Sequence, residues 1–234
     1  TTLDSLDMTS AQVSDLDLTP QILDGISLAV LPYNPSLPPE ATAALKKFTA
    51  KGGRLLACYS LPQEISDLIG VNNAGSAVPD GGFSGFSRTT QGVRAQPNFA
   101  PQKSWRTTLA KTTEASQGRV AATWTDSQGA DTGHPAITIT DKGAFIGHVW
   151  MGGPDTATTA LMRSLIGEMV PAFWRQTAEK ALSNIGAVGG ATSLDNLKEI
   201  LSAAKPPLAA RRELSKAASL RNRAQALYEV GEWD

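Results

Sequence analysis

Gly52-Gly53-Arg54-Leu55-Leu56-Ala57-Cys58-Tyr59-Ser60 decides the fold of this chain. Two glycines stop whatever precedes them, an apolar run follows, and the run ends on the chain's single cysteine at the entrance to a turn. A run that is apolar throughout, instead of alternating, reads as a strand covered on both faces, as in a parallel sheet flanked by helices. In such sheets functional groups gather where the chain leaves the carboxyl ends of the strands. The stretch therefore predicts a strand and a place to look for chemistry.

Working outward, Ile26 to Leu31 (ISLAVL) reads as a second buried strand ended by Pro32. Ser36-Leu37-Pro38-Pro39-Glu40 opens an amphipathic helix through Lys51, with Ala43, Leu45 and Phe48 at apolar positions, and Pro62 to Ile69 is a short helix stopped by Gly70. Strand, helix, strand, helix in this order predicts parallel strands joined by a right-handed crossover. Upstream lies an acidic lead-in over residues 1 to 25, with a helix entrance at Thr19-Pro20.

Downstream, residues 72–118 carry many glycines and little periodicity, and read as an irregular insertion with a short strand piece around Gly92 to Arg94. Strands return at Arg119 to Trp124, at Ala136 to Thr140 and at Ala144 to Trp150, the last two forming a hairpin across Asp141-Lys142-Gly143. A helix from Asp155 to Met169, capped by Asp155 or Thr156, is interrupted by Pro171 and resumes to Asn184. Glycines at 186, 189 and 190 make a joint before two more helices, Leu194 to Ala203 and a basic amphipathic one from Leu208 to Tyr228. The organisation expected is an α/β domain over 1–185 and a helical tail or linker over 186–234.

Composition narrows the function. The 234 residues carry 21 basic and 22 acidic side chains, a net charge of -1, so no global field draws in nucleic acid. No run of apolar residues is long enough for a membrane-spanning helix. One cysteine and two histidines allow no intramolecular disulfide, and they do not supply the three well-placed ligands of a catalytic zinc, so no metal or other cofactor is expected. The chain starts on Thr1 without an initiator methionine, from which a processed or excised piece is expected.

Leu31-Pro32-Tyr33-Asn34-Pro35, the Gly52 to Tyr59 stretch and Gly143-Ala144-Phe145-Ile146-Gly147-His148-Val149-Trp150 carry a resemblance. The chain resembles the class I glutamine amidotransferase-like domain found beside glycoside hydrolase-like barrels in bacterial proteins, as in the middle domain of certain β-galactosidases and in ThuA-like proteins. The likeness runs over roughly residues 20 to 175. It implies a flavodoxin-like fold, a mostly parallel sheet with helices on both faces. It also implies a carbohydrate ligand, a neighbouring domain or subunit such as a glycoside hydrolase-like barrel as partner, and a periplasmic or secreted parent protein if that parent acts on carbohydrate.

True members of the amidotransferase class place their nucleophile in a Gly-x-Cys-x-Gly elbow and follow the last core strand with His-Pro-Glu. Here Cys58 stands at the cysteine position, but Leu56 and Ser60 replace the glycines. His148 is followed by Val149 and Trp150; His134 precedes Pro135 but then Ala136, so neither has the acidic orienter. The departures imply a degenerate, non-catalytic domain in a scaffolding or sugar-binding role.

The alternative is an amide or ester hydrolase that uses Cys58 as nucleophile and His148 or His134 as base. A lone cysteine ending an apolar strand is more often a small buried hydrophobe, and the histidines read more readily as a satisfied or cleft-lining residue (His148) and a surface-loop residue (His134) than as catalytic bases. Tyr33, Tyr59, Trp124 and Trp150 are candidate sugar-stacking rings, since pyranoses present apolar faces, and Asp155 is a candidate for their hydroxyls or simply a helix cap.

Overall fold

The computed structural model describes the chain apart from residues 1, 2, 4, 5, 7, 152–154, 205, 206, 233 and 234. The described residues divide into two compact units, 1–170 and 171–234.

The first unit runs β1 (Leu28–Leu31), α1 (Pro39–Ala50), β2 (Arg54–Cys58), α2 (Gln63–Ile69), β3 (Val71–Ala77), β4 (Phe83–Arg88), β5 (Phe99–Ser104), β6 (Thr107–Thr112), β7 (Arg119–Asp126), β8 (Asp131–Ile139), β9 (Gly143–Ile146) and α3 (Thr156–Met169). One sheet holds seven strands in the order β1-β2-β9-β8-β7-β4-β5, and β3 and β6 pair separately. β1–β2 and β2–β9 are parallel, whereas β9–β8, β8–β7, β7–β4 and β4–β5 are antiparallel.

The mostly parallel sheet expected from the sequence is thus corrected to a mixed one. A tight turn such as Asp141-Lys142 forces its two strands antiparallel, whereas the parallel returns need long connections: the α1 crossover from β1 to β2, and the whole stretch from α2 to β8 between β2 and β9. The irregular insertion is corrected as well: β4 and β5 extend the main sheet, β3 and β6 form the small one, and Gly92 to Arg94 lies outside any strand. β3 (VNNAGSA) and β5 (FAPQKS) carry few apolar residues and hence little strand signal, although β5 alternates strictly between exposed and buried. The helix entrance at Thr19-Pro20 yields only turns over 20–25.

Both faces of the parallel strands are covered. Leu55 and Ala57 of β2 and Phe145 of β9 pack with Ala44, Leu45 and Phe48 of α1 and Ile65, Leu68 and Ile69 of α2. Strand alternation turns Leu56, Cys58, Ala144 and Ile146 to the opposite face, where all four are also buried and α3 lies against β9. This double cover is why β2 from Leu55 to Cys58 and the whole of β9 read as apolar.

In the second unit α4 (Ala172–Asn184), α5 (Leu194–Ala203) and α6 (Leu208–Glu229) are joined by surface polar contacts. Arg175 and Glu179 of α4 meet Tyr228 of α6, and Asp195 of α5 meets Arg221 of α6 at 3.3 Å. No side chain of α6 is buried.

Candidate functional site

Three parallel strands release the chain at one edge of the sheet. Tyr33 follows β1, Tyr59 follows β2 and His148 follows β9, so topology alone gathers them where open α/β sheets bind ligands. Their rings meet. Tyr33 and Tyr59 stack with centroids 6.0 Å apart and planes 27° apart, and His148 stands 5.2 Å from Tyr59 with its ring tilted by 58°. Tyr33 is 54% exposed, while Tyr59 and His148 are half-buried.

Tyr59 has φ 62°, one of two non-glycine residues with positive φ among the described residues. The Ser60 N–H donates to the Cys58 carbonyl at 2.7 Å, closing a three-residue γ-turn around Tyr59. For a bulky side chain this backbone is an outlier, costing about 1–3 kcal/mol. The sheet holds it there: the Tyr59 N–H donates to the Ile146 carbonyl at 2.8 Å, continuing the β2–β9 ladder one residue past the strand. A sharp, strained strand-to-helix turn is the form of a nucleophile elbow. The strained position of this turn is residue 59, one beyond the cysteine, and a tyrosine fills it.

Cys58 consequently faces the interior and is 2% exposed. Burial pushes its thiol up from an ordinary 9.0 to about 12, against a smaller downward pull from the Trp150 backbone N–H. Among the described residues neither histidine hydrogen-bonds to it. The structure brings His148 to Tyr59, and His134 to Phe83 at 6.4 Å in an edge-on contact.

The loop after β9 is built to hold His148. Gly147 approaches β6 so closely that a Cβ there would lie 2.4 Å from Thr107 Oγ1 and 2.6 Å from the Thr108 carbonyl oxygen. Its own carbonyl accepts from Thr108 N–H at 2.8 Å and Thr107 Oγ1 at 2.9 Å. Buried Gln102 of β5 then clamps the next residues, donating to the Val149 carbonyl at 3.2 Å and accepting from the Met151 N–H at 3.3 Å. His148 Nδ1 lies 3.1 Å from the Val149 carbonyl, which can only accept, so the neutral ring carries its proton on Nδ1 and offers Nε2 as an acceptor.

The tryptophans expected at a sugar site lie elsewhere. Trp124 is fully buried, with centroids 4.9 Å from Phe83 and 4.6 Å from Phe86, and Trp150 stacks on Phe86 at 6.1 Å. Trp124 is core, a correction that follows from its central place on β7, and the ring of Trp150 serves the same inner cluster. Asp155 caps α3, accepting from Ala157 N–H at 2.8 Å and Thr158 N–H at 3.0 Å. Sequence reasoning missed Gln102, whose only signal was a polar residue at an inward position of an alternating strand.

No group of three or more potential metal ligands occurs among the described residues. No helix among them is long and apolar enough to cross a membrane. A cavity of about 160 Å³ lined by Leu23, Ile26, Phe48 and Lys51 lies before β1 and β2, at the strands' amino ends and away from the aromatic edge.

No family model and no curated protein matches the chain. Solved structures do. A cold-adapted β-galactosidase from Rahnella sp. R3 superposes with a TM-score of 0.54 at 15% identity, over 72% of this chain and 26% of that one. A ThuA-like protein from Bacteroides uniformis gives a TM-score of 0.49 at 10% identity over 68% of this chain and 75% of that one, and an α-L-fucosidase from Paenibacillus thiaminolyticus gives 0.47 at 13% over 62% and 25%. The chain spans about a quarter of the β-galactosidase's length. At this identity the likeness to the β-galactosidase establishes a shared mixed α/β fold, and activity is a separate matter.

Proposed function

We propose that this chain is a degenerate class I glutamine amidotransferase-like domain, flavodoxin-like in its parallel part, belonging to a carbohydrate-active protein of the glycoside hydrolase-like kind. In this reading it performs no hydrolysis itself. It positions a neighbouring domain or subunit and offers a sugar-binding surface.

The observation that carries the reading is the displaced elbow: Tyr59 occupies the strained turn, and the only thiol lies one residue back, buried and protonated. A thioester mechanism needs a thiolate reachable by substrate and an imidazole beside it. Cys58 has a backbone N–H beside it instead, which weighs against the cysteine hydrolase alternative.

Alkylation by iodoacetamide between pH 5 and 9 tests the reading on the native and the urea-unfolded chain. Protection of Cys58 until unfolding is the expected result. Rapid native modification with a midpoint below pH 7 overturns the non-catalytic reading.

A further inference from the structure

We propose that the corner formed by Tyr33, Tyr59 and His148 is a pyranose-binding site. This deepens the sugar-binding part of the function proposed above and rests on it. Sugar rings need two things from a protein: an apolar ring face for their C–H groups and polar atoms at its rim for their hydroxyls. Both are present here. Two nearly parallel rings at 6.0 Å and a third tilted by 58° make two adjoining aromatic walls. The rim carries the Tyr33 and Tyr59 hydroxyls, for which the described residues supply no hydrogen-bond partner, and His148 Nε2 as an acceptor.

The surroundings are mixed in polarity: Pro32, Pro35 and Ser36 are exposed and Asn34 half-buried after β1, and Ser60 is half-buried after β2, so amide and hydroxyl groups stand beside the rings within reach of a sugar's hydroxyls. The rings are also fixed in advance, Tyr59 by its γ-turn and His148 by the loop that Gln102 clamps, which lowers the entropy lost on binding.

Saturation-transfer NMR on the whole chain tests the proposal, with methyl β-D-galactopyranoside and methyl β-D-glucopyranoside as probes and a proline-rich peptide alongside. Transfer to the ring C–H protons of at least one glycoside is expected, at millimolar affinity. Tyr33→Ala should weaken it about tenfold, as for a central aromatic anchor, and because Tyr33 is exposed this variant keeps its fold. Trp105→Ala removes a ring 67% exposed elsewhere and should change nothing. Absence of transfer from both glycosides, transfer unaltered by Tyr33→Ala, or binding of the peptide alone overturns the proposal. If that happens while Cys58 resists iodoacetamide, the non-catalytic scaffold reading survives; a reactive Cys58 removes that reading whatever the sugar result.

Discussion

The buried thiol makes a quantitative demand on stability at alkaline pH. Cys58 titrates at about 12 in the native chain against an ordinary 9.0. A group whose acid form is favoured by folding holds its proton longer in the native state than in the unfolded one. Between pH 9 and 12 the unfolded chain therefore binds fewer protons, and unfolding becomes easier as pH rises. The linkage costs almost nothing at pH 8 and about 1.4 kcal/mol at pH 10. Other groups also titrate in this range, so the assay is a double difference: urea unfolding of wild type and of Cys58→Ala, each at pH 8 and pH 10. The substitution removes the sulfur's packing equally at both pH values and its titration altogether, so the thiol's pH dependence remains in the wild type alone. Wild type should lose about 1.4 kcal/mol more than the variant between the two conditions. A double difference below about 0.3 kcal/mol would mean a sulfur that ionises as readily folded as unfolded, refuting the burial argument and the displaced elbow with it.

Two further outcomes follow from local geometry. Gly147→Ala would drive a Cβ into the Thr108 carbonyl and Thr107 hydroxyl, so urea unfolding should show a loss of about 1–3 kcal/mol, and the His148 imidazole resonances should shift. Asp155→Ala removes the cap that serves Ala157 and Thr158, at about 1 kcal/mol in the same assay, with Asp155→Asn retaining most of it.

Much of the helical and parallel part was legible because its signals are local. Pro38-Pro39 at the start of α1, Gly52-Gly53 after it, the apolar Leu55 to Cys58 of β2 and the apolar β9 each state their structure within a few residues. β3 to β6 are not legible, since their own composition carries little strand signal: β3 pairs with β6 and β4 with β7, both distant in the chain, and β5 is an edge strand held by β4 alone. At the site, β1 and β2 end within a residue of where the pattern puts them, whereas β9 ends at Ile146 and not at Trp150, which leaves His148 in the following loop, and side-chain facing is not legible. Whether Cys58 or Tyr59 sits at the elbow is a matter of one residue in register, and alternation along a strand turns that one residue into the difference between core and surface. Trp124 was misjudged for a related reason: an aromatic's chemistry says it can stack on sugar, and only the sheet order says it is enclosed.

The γ-turn at Tyr59 also matters to anyone wishing to give this scaffold an activity. Its backbone is already bent and braced by the ladder to β9, with the cost of that bend borne by the native fold. Residue 59 is therefore a finished mounting point: a short reactive side chain installed there would be presented outward beside an imidazole with an open acceptor nitrogen, whereas the same group at position 58 would be sealed inside. Designers would begin with the one turn and leave the rest of the sheet untouched.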